Sequence, residues 1–298
     1  MSEAAATLGS SRLWWHATRP ATLAASVSPV LIGIGIAARA GAAGLAPSLA
    51  SLGVAVALQV GVNYANDYSD HRRGADRRRV GPPRAASSGV VDPRAVLLAA
   101  VLAFTAAAGL GVWLAQMSSW WLLAGGAVCI LAAAGYTGGP YPYGYHGYGE
   151  LAVFLFFGEV ATCGTVFAEM RSIPVVAPLA AILPGALAAA LLLINNLRDI
   201  ETDQAAGKRT LAVALGRVRA RRLYLGLLAL ALAVPLILAI PAVTGAEVLL
   251  VWVVVPLLEG PVRDSAAPDP APLVRALKQT ALILLLSSAL LAVGIWMG

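Results

Sequence analysis

The sequence predicts an all-α polytopic membrane protein, nine transmembrane helices forming a single domain over residues 1–298. Three observations carry that expectation. Hydrophobic residues make up 59% of the chain and charged residues only 12%, with a mean hydropathy of +0.78, whereas soluble domains are about a quarter charged. Apolar stretches of roughly the 20 residues that a bilayer-spanning helix needs recur along the whole length. Lys and Arg are confined to alternate connections, the asymmetry that sets membrane orientation.

Residues 1–13 are small and polar, lack the basic n-region and short apolar h-region of a cleaved signal peptide, and read as a disordered tail. Spans follow at 22–38, 46–66, 95–115, 119–136, 149–168, 174–195, 222–241, 245–258 and 277–297, the eighth being the shortest. Cys129 and Cys163 both fall inside apolar stretches and read as packing residues, not a disulfide. With the N-terminus in the cytoplasm, every Lys and Arg except Arg39 and Arg171 lies in a cytoplasmic connection. That places the C-terminus outside and the protein in the cell membrane. The net charge of +6 is then a topological signal and gives no ground for a nucleic-acid partner. The long connections 67–94 and 196–221 are both cytoplasmic and hold most of the charge, so chemistry is expected there.

Residues 63–89 read NYANDYSDHRRGADRRRVGPPRAASSG. Asp67, Asp70 and Asp76 follow directly on an apolar run, where carboxylates are costly unless they bind something. Clustered oxygen ligands suit Mg²⁺, which takes one or two carboxylates while substrate phosphates fill other positions. A second stretch, 195–210, reads NNLRDIETDQAAGKRT at the end of the sixth span. Asn63, Asn66, Asp70 and Gly74 match Asn196, Asp199, Asp203 and Gly207 at spacings of three, four and four. On a helix that spacing puts the first three groups on one face. The second and sixth spans run in the same direction, so this is a weak internal repeat about an axis along the membrane normal. Two such stripes facing each other would hold two Mg²⁺ ions with a diphosphate between them.

The same residues resemble a known family. NDYSD, GAD, RVGPPR and NNLRDIETDQAAGKRT look like the motifs of the UbiA superfamily of intramembrane aromatic prenyltransferases. YTGGPYPYGYHGYGE (136–150) and RPATLAASVSPVLIG (19–33) resemble its branch of 1,4-dihydroxy-2-naphthoate prenyltransferases of menaquinone synthesis. The likeness runs from about Trp15 through Gly216. His71, Ala21, Ala24, Pro83 and Tyr148 depart from the branch pattern, and none of them removes a carboxylate. The resemblance implies a nine-span fold whose central cavity opens to the cytoplasm and laterally to lipid. It implies Mg²⁺-dependent transfer of a polyprenyl group from its diphosphate to the naphthoate ring, with loss of the carboxyl group as CO₂. Asn63, Asn66, Asp67 and Asp70 match the first motif; Asn196, Asp199 and Asp203 match the second.

Breaking an allylic C–O bond builds charge on the leaving diphosphate, and Mg²⁺ meets that charge without proton transfer. Asp67, Asp70, Asp199 and Asp203 are therefore the expected metal ligands, with Asn66 and Asn196 as neutral oxygen ligands or orienters. Asp76 either reaches a metal or pairs with a neighbouring arginine. Arg84, Lys208 and Arg79 are the expected phosphate-binding cations. Arg72, Arg73, Arg77 and Arg78 instead read as a face toward anionic membrane lipid. Arg19, just before the first span, is the candidate for the carboxylate of the aromatic acid. Tyr136, Tyr141, Tyr143 and Tyr145 lie on a cytoplasmic loop; they either shield an allylic cation or form an interfacial belt. Gln59 continues the polar stripe, and Glu159, about 15 Å into its span at helical rise, reads as a protonated, hydrogen-bonded carboxyl.

Three rival readings stand beside this one. The first keeps the superfamily and changes the aromatic acceptor. The second is a membrane transporter, against which the polar groups collect at one membrane face with only Glu159 near the midplane. The third is a non-catalytic lipid-binding scaffold, which needs no paired aspartates.

Overall fold

The computed structural model describes residues 10–73, 84–240 and 244–298. Arg79, with Gly74, Asp76, Arg77, Arg78 and Pro83, lies outside them. Every regular element among the described residues is helical: α1 (Ser10–Ala17), α2 (Pro20–Arg39), α3 (Leu45–Arg72), α4 (Pro93–Met117), α5 (Trp121–Thr137), a single 3₁₀ turn (Tyr143–Tyr145), α6 (Gly149–Met170), α7 (Val176–Arg198), α8 (Ile200–Ala205), α9 (Leu211–Leu238), a long 3₁₀ helix (Ala246–Leu258), α10 (Glu259–Asp264) and α11 (Pro270–Met297).

The all-α membrane fold is as expected, but the nine expected spans are not nine equivalent helices. Seven of them, α2, α3, α4, α6, α7, α9 and α11, are long and apolar enough to cross a bilayer. α5 is apolar but only 17 residues long. The eighth stretch winds as a 13-residue 3₁₀ helix, far longer than the three or four residues such helices usually reach. At about 2 Å per residue it extends about 26 Å, close to the hydrocarbon thickness of about 30 Å that its length as an α-helix would not approach. α6 is interrupted by a π-helical turn at Leu155–Val160.

Local chemistry sets the helix ends. Asp92 caps α4, its Oδ1 accepting from the Arg94 N–H at 2.8 Å with Pro93 in the first turn. Thr210 caps α9. The N-terminus of α3 is capped from another helix: Glu169 of α6 accepts from the Gly44 N–H at 2.8 Å and from the Ser48 hydroxyl. Arg39 and Arg171, the two cations outside the charged connections, donate to the Ile295 and Met117 carbonyls. There they offset the partial negative charge of helix C-termini.

α7 is the buried centre, with 78% of its apolar window inside the protein against 17% for α4. α2, α9 and α11 pack around it, sharing a core that includes Leu187, Leu191, Tyr224, Leu228, Ile283 and Leu284. The outer faces of α4 and α5 stay apolar and exposed, as at Leu98, Leu102 and Leu131, which suits a lipid surface.

The first and last long helices are neighbours running parallel. Ser28 donates to the Leu284 carbonyl at 3.3 Å and Arg39 to Ile295, the same offset in sequence along both helices. They touch closely because Gly35 faces the Ala292 backbone; a Cβ at Gly35 would lie 2.5 Å from the Ala292 carbonyl oxygen.

Three boundaries differ from expectation in ways that matter below. α3 continues to Arg72, so Asp67 and Asp70 ride on a helix and not in a loop. α7 ends at Arg198 and the chain turns at Asp199 (φ −96°, ψ 8°) before α8. The second acidic motif is therefore split across a turn, and the one-face stripe expected from its spacing holds only for the first. Ser10–Leu13, expected in a disordered tail, belongs to α1, and Leu13 is fully buried.

Gly35→Val is expected to destabilise the folded protein by about 1–3 kcal/mol through overpacking of the α2–α11 seam. A lowered melting temperature in detergent, with Gly35→Ala intermediate, would show it; an unchanged melt would contradict the close packing.

Candidate active site

The first motif places Asn63, Asn66, Asp67 and Asp70 on the buried side of α3. Asn63 holds the N-terminal segment: its amide donates to the Thr18 carbonyl at 2.8 Å and the Thr22 hydroxyl at 3.0 Å. Gln59, one turn back, donates to Thr22 and to the Asn63 side-chain oxygen, each at 3.1 Å. Asn66 accepts from the Thr137 hydroxyl at the end of α5. Asp67 accepts from the Ala85 N–H at 3.0 Å, fixing the chain that leads into α4.

Asp70 draws three segments together. Its Oδ1 accepts from the Tyr145 hydroxyl and, at 3.1 Å, from Lys208 Nζ; its Oδ2 pairs with Arg84 at 3.2 Å. The Lys208 ammonium also lies over the Tyr145 ring, 4.6 Å from its centroid, a cation–π geometry. Arg73 stands over the same ring at 5.2 Å and donates to the Gly139 carbonyl.

The second motif reaches the same place. Lys208 Nζ is 4.0 Å from Asp203, so one ammonium joins an aspartate of each motif. Asp199 is held by Arg198 through two nitrogens, at 2.7 and 2.5 Å, and Arg198 also donates to Asn195. Asn196 donates to the buried Glu150 at 2.9 Å. Buried carboxylates are tolerable only when so paired.

These groups border one end of a cavity of about 1000 Å³. Arg19, Asn63, Asn66, Arg84, Tyr136 and Arg198 line its polar end, and the remainder is walled mostly by small and aliphatic side chains such as Ala108, Gly111, Gly126 and Ala133. Among the described residues no carboxylate lines it. Arg19 enters α2 with a left-handed backbone (φ 51°), an uncommon conformation for a non-glycine residue.

The other expected residues are placed as follows. Tyr136 lines the cavity, its ring edge-on to Tyr143 at 5.4 Å. Tyr141 does not: it is 82% exposed and sits beside His146. Arg79 lies outside the described residues. Glu159 is half-buried on the π-helical turn and makes no hydrogen bond among the described residues; a hydrogen-bonded carboxyl was the expectation. Sequence reasoning misses Arg198, Glu150 and Thr137. For Arg198 a signal was present, an arginine adjacent to an aspartate at a helix C-terminus.

The donor set can be tested against Mg²⁺. Among the described residues no three His, Cys, Asp or Glu side chains gather at one point. Mg²⁺ does not ask for that, since it keeps waters and takes one or two carboxylates together with phosphate oxygens. The paired aspartates of the two motifs fit such a requirement, and a cation, the Lys208 ammonium, already stands where they approach.

The family model of the UbiA prenyltransferase family matches residues 26–260. The chain belongs to that family. It is 48% identical over 256 residues to the 1,4-dihydroxy-2-naphthoate octaprenyltransferase of Mycobacterium tuberculosis (strain ATCC 25618 / H37Rv), covering 85% of this chain and 84% of that one. It is 35% identical over 298 residues to the protein of the same name from Haemophilus influenzae, covering 96% of each. Among solved structures, a UbiA homolog from Archaeoglobus fulgidus bound to DMAPP and Mg²⁺ superposes with a TM-score of 0.62 at 17% identity, over 94% of this chain and 99% of that one. The apo UbiA homolog from Aeropyrum pernix K1 gives 0.63 over 91% and 96%. At such identity the shared property is the fold, and it is the UbiA family fold.

Asp70→Ala would take this carboxylate from the buried Arg84 and from the partly buried Lys208, which keeps Asp203 at 4.0 Å. Removing one partner of a buried pair costs about 3–5 kcal/mol. A comparable loss in urea or thermal unfolding is expected, and Asp70→Asn should lose less because it keeps acceptor capacity.

Proposed function

We propose that this UbiA-family chain is a 1,4-dihydroxy-2-naphthoate polyprenyltransferase. The observation that carries the reading is the meeting of the two acidic motifs, through Lys208, Asp70 and Asp203, at the polar end of a long apolar cavity. The names of relatives that align over most of their length supply the acceptor. The reaction breaks the bond between the allylic carbon and the diphosphate oxygen and forms a carbon–carbon bond to the ring. The ring's carboxylate leaves as CO₂, its electron pair staying in the ring, so no net proton is released. The immediate product is demethylmenaquinol, the reduced form of demethylmenaquinone.

Asp67 and Asp70 on one side and Asp199 and Asp203 on the other would hold Mg²⁺, one ion to each motif, with Asn66 and Asn196 orienting them. Bound Mg²⁺ supplies Lewis-acid neutralisation of the diphosphate. Arg84 and Lys208 present cations to the same phosphates, Arg through a planar fork and Lys as a point charge, and Arg79 is assigned to join them. The apolar wall takes the prenyl chain and keeps water from the allylic cation, while the faces of Tyr136 and Tyr143 stabilise it without offering a nucleophile. Tyr145 keeps Asp70 and Lys208 in register. The positive-inside asymmetry puts this end of the bundle, and the site, in the cytoplasm.

Purified protein given Mg²⁺, a polyprenyl diphosphate and 1,4-dihydroxy-2-naphthoate is expected to yield CO₂ and the prenylated naphthoquinol, read by mass spectrometry as the quinone after oxidation by air. Chelation should stop turnover and added Mg²⁺ restore it. Asp70→Ala and Asp199→Ala should each lower kcat by at least about 100-fold, in keeping with loss of leaving-group stabilisation. Prenylation of another aromatic with this acid untouched would overturn the acceptor, and full turnover by both variants would overturn the metal assignment.

A further inference from the structure

The buried central helix supplies one wall of the cavity. Ala188, Leu191, Leu192, Asn195 and Arg198 of α7 line it, and their spacing of three, one, three and three is one face of a helix. Arg198 is the last residue of α7 and the charged member of that stripe. The helix therefore shows apolar side chains along the cavity and a single cation at its polar end. That cation is withdrawn from water, its side chain only 4% exposed, so each of its donors needs an acceptor.

The guanidinium is only partly used. Nε and Nη2 donate to the two oxygens of Asp199 at 2.7 and 2.5 Å, and Nη2 also donates to Asn195 at 2.9 Å. Nη1 makes no hydrogen bond among the described residues and keeps accessible surface. The two-point contact with Asp199 fixes the plane of the guanidinium and leaves one terminal nitrogen for a ligand.

The chemistry of the proposed reaction names that ligand. The departing carboxylate is carried by the ring carbon that is attacked, and this carbon must come within about 3–3.5 Å of the allylic carbon. The allylic carbon is one bond from the diphosphate. The acid's carboxylate therefore lies beside the diphosphate, at the polar end, and two anions so close repel unless each has its own cation. Arg84 and Lys208 converge on Asp70 and are assigned to the phosphates. Arg198 stands apart from them, on the second motif. Mg²⁺ on Asp199 would take up the charge of that carboxylate and leave the charge of the guanidinium for a second anion.

We propose that Arg198, oriented by Asp199, binds the carboxylate of the aromatic acid acceptor through Nη1, with the ring against Leu191 and Leu192 on the same face of α7. This rests on the reading of the chain as an aromatic-acid prenyltransferase. It gives Arg198 the role that the sequence suggested for Arg19, and it couples acceptor selection to the second acidic motif.

The test is equilibrium binding with Mg²⁺ and inorganic diphosphate present and no prenyl donor, so that nothing turns over. Calorimetric titrations under nitrogen compare 1,4-dihydroxy-2-naphthoate with the carboxylate-free 1,4-dihydroxynaphthalene in wild type, Arg198→Met, Arg198→Lys and Arg19→Met. The ratio of the two affinities within each protein cancels any loss common to both, including a disturbed Asp199, and binding of the diol reports a folded pocket. Wild type should bind the acid about tenfold or more tighter than the diol, the size expected of a hydrogen bond between charged groups. Arg198→Met should bind the two about equally. Arg198→Lys should keep only part of the preference, because a point charge cannot hold Asp199 and the acid at once; this variant carries the test if Arg198→Met does not fold. Full wild-type preference in both Arg198 variants, or its loss in Arg19→Met alone, would overturn the proposal. Wild type that binds the diol as tightly as the acid would overturn the acceptor reading itself, a different result from either.

Discussion

Everything at the polar end of this bundle depends on how one carboxylate is neutralised. Asp70 sits on α3, nearly excluded from solvent, where an uncompensated charge would cost several kcal/mol. Its three donors come from three places in the chain: Arg84 beyond the end of α3, Tyr145 in the α5–α6 connection, and Lys208 after α8. Satisfying Asp70 thus requires the connections of both halves to converge. Convergence brings Asp203 within reach of the same ammonium. The polar site is a consequence of burying charge where only opposite charge can make burial tolerable.

The cavity follows from the opposite constraint. Its long wall is built of residues too small to fill it, and helices on either side are held by contacts elsewhere. α2 is pinned to α11 through Gly35 and Ala292, and α6 approaches α7 where Gly158 faces Gly185. Close seams at these crossings keep the bundle together while leaving about 1000 Å³ open between them. Such apolar space suits a flexible hydrocarbon chain, whose own contacts replace the missing side chains.

How legible all this was in the sequence differs from feature to feature. The helices themselves were, because apolar runs of bilayer length carry their own signal, and the segregation of cations from Arg39 and Arg171 ordered them. The matching offsets around Asn63 and Asn196 pointed to the two segments that Lys208 joins through Asp70 and Asp203. The break at Asp199 was not legible: periodicity cannot see a turn inside a run of helix-compatible residues, so the second stripe looked continuous. Nor was the 3₁₀ winding of Ala246–Leu258, since its composition is equally that of a short α-helix. Tyr141 and Tyr145 are four residues apart in a run of similar tyrosines, and only the path of the chain decides that Tyr145 meets Asp70 while Tyr141 faces outward. Arg198 was hidden by its neighbour, because an arginine beside a motif aspartate reads as topology until its guanidinium is seen on that aspartate.

The side-by-side placement of α2 and α11 has a corollary for how this domain can be rearranged. Adjacent first and last helices normally invite circular permutation, because a few residues suffice to splice old termini. Here the two run in the same direction, so the start of one and the finish of the other emerge at opposite poles. Any splice would have to cross the hydrocarbon layer as an additional helix. The topology therefore keeps its native order of segments.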